Sequence, residues 1–345
     1  MVSNKEPHND IEPGKEYLIF INYDHKNEIE PFIKKENNPH QFPSKLYVEA
    51  DEQFYLNFSD QPFELSGRTE VKINPTVTKE EYIKKVNTLK QHIQQGDIYE
   101  INYCITFEAN NTSINPLSVY QKLNSISKAS YSALAKFKTQ YIISSSPELF
   151  LTRKQNTLIT KPIKGTAKRG LSPEEDSDII KDLQSNLKER TENIMIVDVG
   201  RNDLSRIAKR GTVHVDKLCD IETYLQVHQM VSTVSCTLRE NIAFNDIIDA
   251  TFPMASMTGA PKIRAMQLID QYELYNRGPY SGALGYINKH GDFDLNVLIR
   301  SIFYDEEKRY LSFTVGSAIT AMCNAEEEYE ECMLKAKAMM QVLGQ

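Results

Sequence analysis

Over the first 75 residues, short apolar runs (YLIFINY, KLYVEA, FYLNF) are broken by Pro, Asn and Asp. Such runs bounded by turn residues read as strands. The period changes at residue 78. In TKEEYIKKVNTLKQHIQQG, Tyr82, Val86, Leu89 and Ile93 recur at helical spacing. Thr78 with Glu81 three residues on forms a capping box, and Gly96 ends the helix. The runs IYEINYCITFE (98–108) and TQYIISSSPELFLT (139–152) predict strands, with a helix in SINPLSVYQKLNSIS between them. Residues 173–199 predict one long helix, with Pro173 suited to its first turn. A further helix is predicted over 259–271, then strands in SGALGYI, LNVLIRSIFY and RYLSFTVGSAIT, then an amphipathic helix over 325–342. No repeat or long linker interrupts the order. Strands and helices do not alternate regularly, which predicts an α+β fold, a complex α/β sandwich.

Composition narrows the class. The 345 residues are 40% hydrophobic and 25% charged, ordinary for a globular protein with a large core. No run approaches the roughly 18 apolar residues of a membrane span. The N-terminus is polar and lacks an apolar segment, so a cytoplasmic protein is expected. A net charge of -7 argues against a broad nucleic-acid surface. Five scattered cysteines without a CxxC pair argue against a disulfide framework or a thiolate zinc site, and predict buried free thiols.

Several stretches have side chains suited to chemistry. Glu189 and Glu192 lie three apart on one predicted helix, and Glu328 and Glu331 three apart on another, with Lys335 four beyond Glu331. Such spacing puts each pair on one helical face. Two faces of this kind offer oxygen ligands to Mg²⁺. They equally describe solvated charged surface, and the spacing alone favours the second reading. MASMTGAPK (254–262) and TVGSAIT (314–320) carry small residues that let backbone approach an anion, but match no nucleotide-binding motif. Arg300 ends an apolar run, a place suited to bidentate carboxylate recognition or to a surface strand end. His228 sits among apolar neighbours, where a hydrogen-bonded core histidine is the default. In TKPIKGT (160–166), Lys161 and Lys164 flank a proline; either lysine suits a loop charge, an anion clamp or a nucleophile.

Taken together and in order, GDIYEINYC, SSSPELFL, TKPIKGTAKRG, KERTENIMIVDVGRNDLSRI, VHQMVSTV, TFPMASMTGAPKIRAM, RGPYSGALGYI, FDLNVLIRS and EEEYEECMLKAKAM resemble the chorismate-utilising enzymes. The likeness covers about residues 75–342 and is strongest to the aminodeoxychorismate synthase branch, with the anthranilate synthases close by. It implies two large, mainly antiparallel sheets with outer helices. It also implies a catalytic core over 76–345, with residues 1–75 a short strand-rich region packed on it. The implied substrate is chorismate and the implied ion Mg²⁺.

Carried onto matching positions, the resemblance makes Glu192 and Glu331 metal ligands, with Glu328 a further or water-mediated one. Arg300, Tyr280 and backbone near Ala318 would clamp the enolpyruvyl group. Lys335 would add charge near the metal-bound carboxylate, and Thr166, His228 and Ser256 would line the substrate. Anthranilate synthases usually read PIAGT where this chain reads PIKGT, so Lys164 stands at the nucleophile position of the aminodeoxychorismate branch. That role needs a neutral amine, hence a lowered pKa. Glu148 matches the general acid. Glu100 departs from the pattern: ammonia-using relatives mostly carry Gln there, and isochorismate synthases a Lys.

The implied reaction exchanges the C4 hydroxyl of chorismate for an amino group. Ammonia would come from a glutamine amidotransferase subunit. Two other readings stay open: ortho amination, as in an anthranilate synthase, and a non-catalytic chorismate-binding subunit.

Overall fold

A computed structural model of the chain describes residues 1, 3, 5–8, 10–30, 41–52 and 71–344. The predicted strand FYLNF lies outside them. The elements run β1 (Tyr17–Ile21), α1 (Lys26–Ile29), β2 (Lys45–Glu49), β3 (Asn74–Pro75), α2 (Lys79–Gln94), β4 (Glu100–Ala109) and α3 (Pro116–Ser127). Next come β5 (Tyr131–Phe137), β6 (Gln140–Ser146), β7 (Leu149–Lys154), β8 (Thr157–Thr160), β9 (Ile163–Lys168), α4 (Pro173–Ser185) and α5 (Leu187–Ser205). The chain continues with β10 (His214–Thr223), β11 (Val227–Thr237), α6 (Phe244–Thr251), β12 (Gly259–Ala260) and α7 (Lys262–Tyr272). It ends in β13 (Ala283–Ile287), β14 (Phe293–Val297), β15 (Ser301–Asp305), β16 (Tyr310–Thr320) and α8 (Ala325–Val342).

Two antiparallel sheets carry the fold. The first runs β10-β11-β8-β7-β14-β13-β1-β2, with β9 also paired to β11. The second runs β12-β4-β16-β15-β6-β5, with β3 paired to β4. Strand alternation explains how the second sheet serves two cores. Cys104, Ile142 and Phe303 join the cluster built on the first sheet. Their neighbours Tyr103, Ile143 and Ile302 turn to the opposite side and pack among α2, α3, α7 and α8. This is the expected sandwich with outer helices. The N-terminal strand β1 pairs with both β2 and β13, so this region is woven into the first sheet. All five cysteines are buried and free.

Local chemistry sets the element ends. The Thr78–Glu81 capping box forms as the spacing predicts. The long helix expected over 173–199 breaks instead at Asn186, which ends α4 and caps α5 by accepting from Glu189 N–H at 3.1 Å. The run 139–152 breaks at Pro147–Glu148 into β6 and β7, and LNVLIRSIFY breaks before Ser301. There Arg300 adopts φ 51°, a conformation uncommon outside glycine, asparagine and aspartate. The helix predicted from 259 begins at Lys262, because Gly259 and Ala260 pair with β4. Among the described residues, no helix is long and apolar enough to cross a membrane.

Candidate active site

Lys164 lies near the start of β9 with its side chain 10% exposed. Its Nζ meets Glu100 Oε1, from the first residue of β4, at 2.6 Å. Gly165 lets the strand pass here. Its φ is 84°, and a Cβ would come within 3.0 Å of Glu189 Oε2 and 3.2 Å of Glu189 Cβ on α5. Lys161 of the same heptapeptide lies 3.6 Å from Glu222 with about a third of its side chain exposed, the loop charge that a spare lysine suggests.

Glu148 follows the break between β6 and β7. Its Oε1 accepts from the backbone N–H of Ile163 at 3.2 Å, which ties the carboxyl to the residue before Lys164. Burial pushes Glu148 up to about 7, against the opposing pull of Ser256, the Ile163 N–H, Lys164 and Lys335. The Ser256 hydroxyl near it has no partner at full hydrogen-bonding geometry among the described residues. For Lys164, burial opposes the charge, but Glu100, Glu192 and Glu148 outweigh it and raise its pKa above the ordinary lysine value. In the ligand-free protein the Lys164 pKa is therefore shifted upward, opposite to the direction that the nucleophile role asks for.

A second group of carboxylates faces α8 from α5. Glu192 is buried, and its Oε1 has no partner among the described residues. Burial pushes it up to about 7, with Lys164 and Lys188 pulling down and Glu100 and Glu189 adding to the rise. Glu189 is also raised, by burial first and then by Glu331 and Glu328. Lys188 of α5 reaches buried Glu328 of α8 at 3.0 Å. Lys335 reaches Glu331 at 2.5 Å, the i,i+4 pair read from the spacing, and donates to Gly316 O at 2.9 Å. Burial raises the Glu331 carboxyl, but Lys335 and the neighbouring lysines more than offset it, so its pKa is lowered.

Crowded buried carboxylates, one with an orphaned oxygen, suit a hard divalent ion such as Mg²⁺, which takes oxygen donors. The donor chemistry fits. As they stand, no three acidic, histidine or cysteine side chains among the described residues are close enough to hold an ion; the lysines keep Glu328 and Glu331 company instead.

The residues expected to bind the anion lie as follows. The guanidinium of Arg300 has no hydrogen-bond or ion-pair partner among the described residues, and burial lowers its pKa, with Tyr280 and Glu331 opposing. Tyr280 is buried, and its hydroxyl oxygen lies 3.9 Å from Cys104 Sγ. Ala318 sits on β16 opposite Asn102 of β4.

His228 lies on β11. It pairs with Ala167 across β9 and β11. Its Nε2 meets Asp176 of α4 at 2.8 Å and its Nδ1 meets Thr223 at 2.9 Å, so both ring nitrogens are engaged. The residue opposite Thr166 is Gln229, and the register shifts between there and Ile163, where Lys164 and the positive-φ Gly165 lie. Sequence reasoning missed that Gln229 stands opposite Thr166, because register is set in space and not along one strand. It missed Lys188 for a related reason: pairing with Glu328 depends on how α5 and α8 sit together.

Two sheets thus carry a buried lysine with its own carboxylate, a buried acid and an arginine whose guanidinium has no partner among the described residues. The family model described as chorismate binding enzyme matches residues 5–341, and the chain belongs to that family. The match reaches into the first 75 residues, where the sequence motifs carried no likeness. Against the aminodeoxychorismate synthase of Streptomyces griseus the chain is 40% identical over 264 residues, covering 76% of this chain and 36% of that protein. It is 32% identical over 342 residues to aminodeoxychorismate synthase component 1 of Bacillus subtilis, covering 96% of this chain and 71% of that one. Its fold superimposes with a TM-score of 0.83 on the crystal structure of anthranilate synthase component I from Streptococcus pneumoniae, at 26% identity, covering 97% and 83% of the two chains. The chain spans about a third of the length of the first curated relatives it matches.

Proposed function

We propose that this chain is the chorismate-aminating component of an aminodeoxychorismate synthase, a cytoplasmic enzyme that makes 4-amino-4-deoxychorismate for 4-aminobenzoate and folate synthesis. The observation that carries this reading is Lys164, buried on β9 with Glu148 bound to the backbone N–H of the residue before it. A pure chorismate binder needs neither a buried nucleophile nor a carboxyl that keeps its proton near neutral pH. The neutral amine of Lys164 attacks C2 of chorismate, the ring double bond shifts, and the C4–O bond breaks. Glu148, kept protonated by burial, gives its proton to the leaving hydroxyl, which departs as water. Ammonia then bonds to C4 as the bond from C2 to Lys164 breaks, leaving the amino group para to the ring carboxylate.

Binding falls to the other groups. Arg300, whose guanidinium has no partner among the described residues, takes the enolpyruvyl carboxylate with Tyr280 and backbone at Ala318. Thr166, His228 and Ser256 line the substrate. Glu192 and Glu331, with Glu328 as a further or water-mediated ligand, would hold Mg²⁺, which supplies positive charge for the ring carboxylate; Lys335 adds to it. The name of the Bacillus relative, a component 1, supports a two-component assembly in which a glutamine amidotransferase subunit delivers the ammonia.

Product analysis tests the reading. The purified chain is incubated with chorismate, Mg²⁺ and ammonium at mildly alkaline pH, with a lyase that releases 4-aminobenzoate. The expected product is 4-aminobenzoate, lost in Lys164→Ala. Release of 2-aminobenzoate without the lyase would make the chain an anthranilate synthase. Unconsumed chorismate would make it a non-catalytic binder.

A further inference from the structure

Lys164 Nζ forms an ion pair with Glu100 at 2.6 Å, and a lysine in its ammonium form has no lone pair with which to attack. Something must take its proton before the chemistry starts. Five carboxylates act on it: Glu100 from β4, Glu148 from the β6–β7 break, Glu189 and Glu192 from α5, and Glu331 from α8. Among the described residues, Glu100 is the carboxylate in ion-pair contact with Nζ, at 2.6 Å. Glu148 must hold its proton for the leaving hydroxyl. Glu100 is 1% exposed, its Oε1 accepts from Lys164, and its Oε2 is buried without a partner among the described residues. Among the described residues no other group bonds to this carboxylate, and burial keeps it from bulk water.

We propose that Glu100 is the internal base of this site: it takes one proton from Lys164 and hands it back at the end of each turnover. The proposal rests on Lys164 being the nucleophile. The step balances. An N–H bond of Lys164 breaks and an O–H bond forms on Glu100, freeing the nitrogen lone pair. The amine bonds to C2 and keeps its two protons as a secondary ammonium. When ammonia bonds to C4, the lysine leaves C2 as a neutral amine, and Glu100 returns the stored proton to it. The extra proton on the new C4 nitrogen goes to Glu148, replacing the one lost to water. A buried ion pair is costly when water is excluded, so a substrate that fills the cleft favours the neutral acid–amine form over the charged pair. A glutamine at this position holds the lysine by a hydrogen bond but cannot store a proton.

Internal transfer leaves the number of bound protons unchanged, and this gives the test a signature. kcat/KM for chorismate is measured from about pH 5.5 to 9, with free ammonia held constant and Mg²⁺ saturating. The wild-type profile is expected to be flat on its acid side, because Lys164 need not lose a proton to solvent. Glu100→Gln is expected to lose about 100-fold at pH 7. It should also gain an acid limb that climbs tenfold per pH unit, since its lysine must now be deprotonated by solvent. Glu100→Asp should be slower yet keep the flat acid side. A Glu100→Gln profile of wild-type shape, or one faster than wild type near neutrality, overturns the proposal. If Glu100→Gln does not fold, an acid limb in Glu100→Asp overturns it and a flat one supports it. Lys164→Ala separates the two levels: turnover in that variant removes the lysine nucleophile itself, whereas a dead Lys164→Ala beside a wild-type-like Glu100→Gln removes only the role of Glu100.

Discussion

At the scale of single residues, the site sets two neighbours against each other. Burial holds the Glu148 carboxyl up near 7, whereas Glu100 and Glu192 overcome burial and hold Lys164 charged. Both effects cost stability or readiness in the resting protein, and strained electrostatics of this kind cluster at working sites. Glu148→Gln keeps the shape and removes the proton. Its kcat is expected to fall by about 10² to 10⁴, with KM for chorismate little changed. Stability should move the other way. The folded pKa of Glu148 lies above its ordinary value of 4.5, so the native state holds more protons than the unfolded chain between about 4.5 and 7. Stability is therefore full below that window and lost as pH rises through it. In the ligand-free protein the loss is on the order of a few kcal/mol, and Glu148→Gln should avoid it. Urea denaturation of both proteins at pH 5 and pH 8 reads this directly: the variant should gain on wild type only at the higher pH. Equal gaps at both pH values would mean that Glu148 is not held protonated.

At the scale of elements, periodicity located most strands and helices but not their breaks. The 3.6-residue spacing of Tyr82, Val86 and Leu89 was legible because one face of α2 is buried. Breaks at Asn186, Pro147 and Arg300 were not, because each is fixed by what the chain meets in space: a cap, a bound carboxyl, a left-handed turn. The same limit applies to the site. Lys164, Glu148, Glu192 and Arg300 were singled out through the family motifs, yet the pairing of Lys164 with Glu100 and of Lys188 with Glu328 was not, because only the folded chain brings those residues together. Gly165 shows how closely two elements are fitted here. Gly165→Ala imposes a positive φ on a residue with a Cβ and drives that Cβ toward Glu189. A cost above about 1 kcal/mol is expected. Activity should fall further than stability, since β9 must retreat from α5 and carry Lys164 away from Glu100. Urea midpoints and kcat of this variant against wild type check it; a variant equal in both would show that β9 has slack against α5.

At the scale of the whole molecule, the acidic groups tie together the two halves of the sandwich. Helix α5 packs on β9, β10 and β11 of the first sheet, and α8 packs on β16 of the second. Glu192 belongs to the first half and Glu331 to the second, so an ion held by both would bridge the layers rather than decorate one of them. Binding to the native state alone stabilises it by mass action, about 2.7 kcal/mol at a hundredfold excess over Kd. Mg²⁺ is therefore expected to raise the melting temperature of the ligand-free chain by a few degrees, beyond what KCl of equal ionic strength does. The rise should depend on pH with a definite sign. Glu192 must be ionised to act as a ligand, and burial holds it up near 7, so the Mg²⁺ effect should be small at pH 6 and grow toward pH 8 as ion binding no longer has to displace a proton. Glu192→Gln should remove both the shift and its pH dependence, while raising stability at pH 8 in the absence of Mg²⁺ by removing a carboxylate whose charge burial disfavours. A melting temperature that responds to Mg²⁺ equally in wild type and Glu192→Gln would place the ion elsewhere on the molecule and leave the buried carboxylates of α5 to proton chemistry alone.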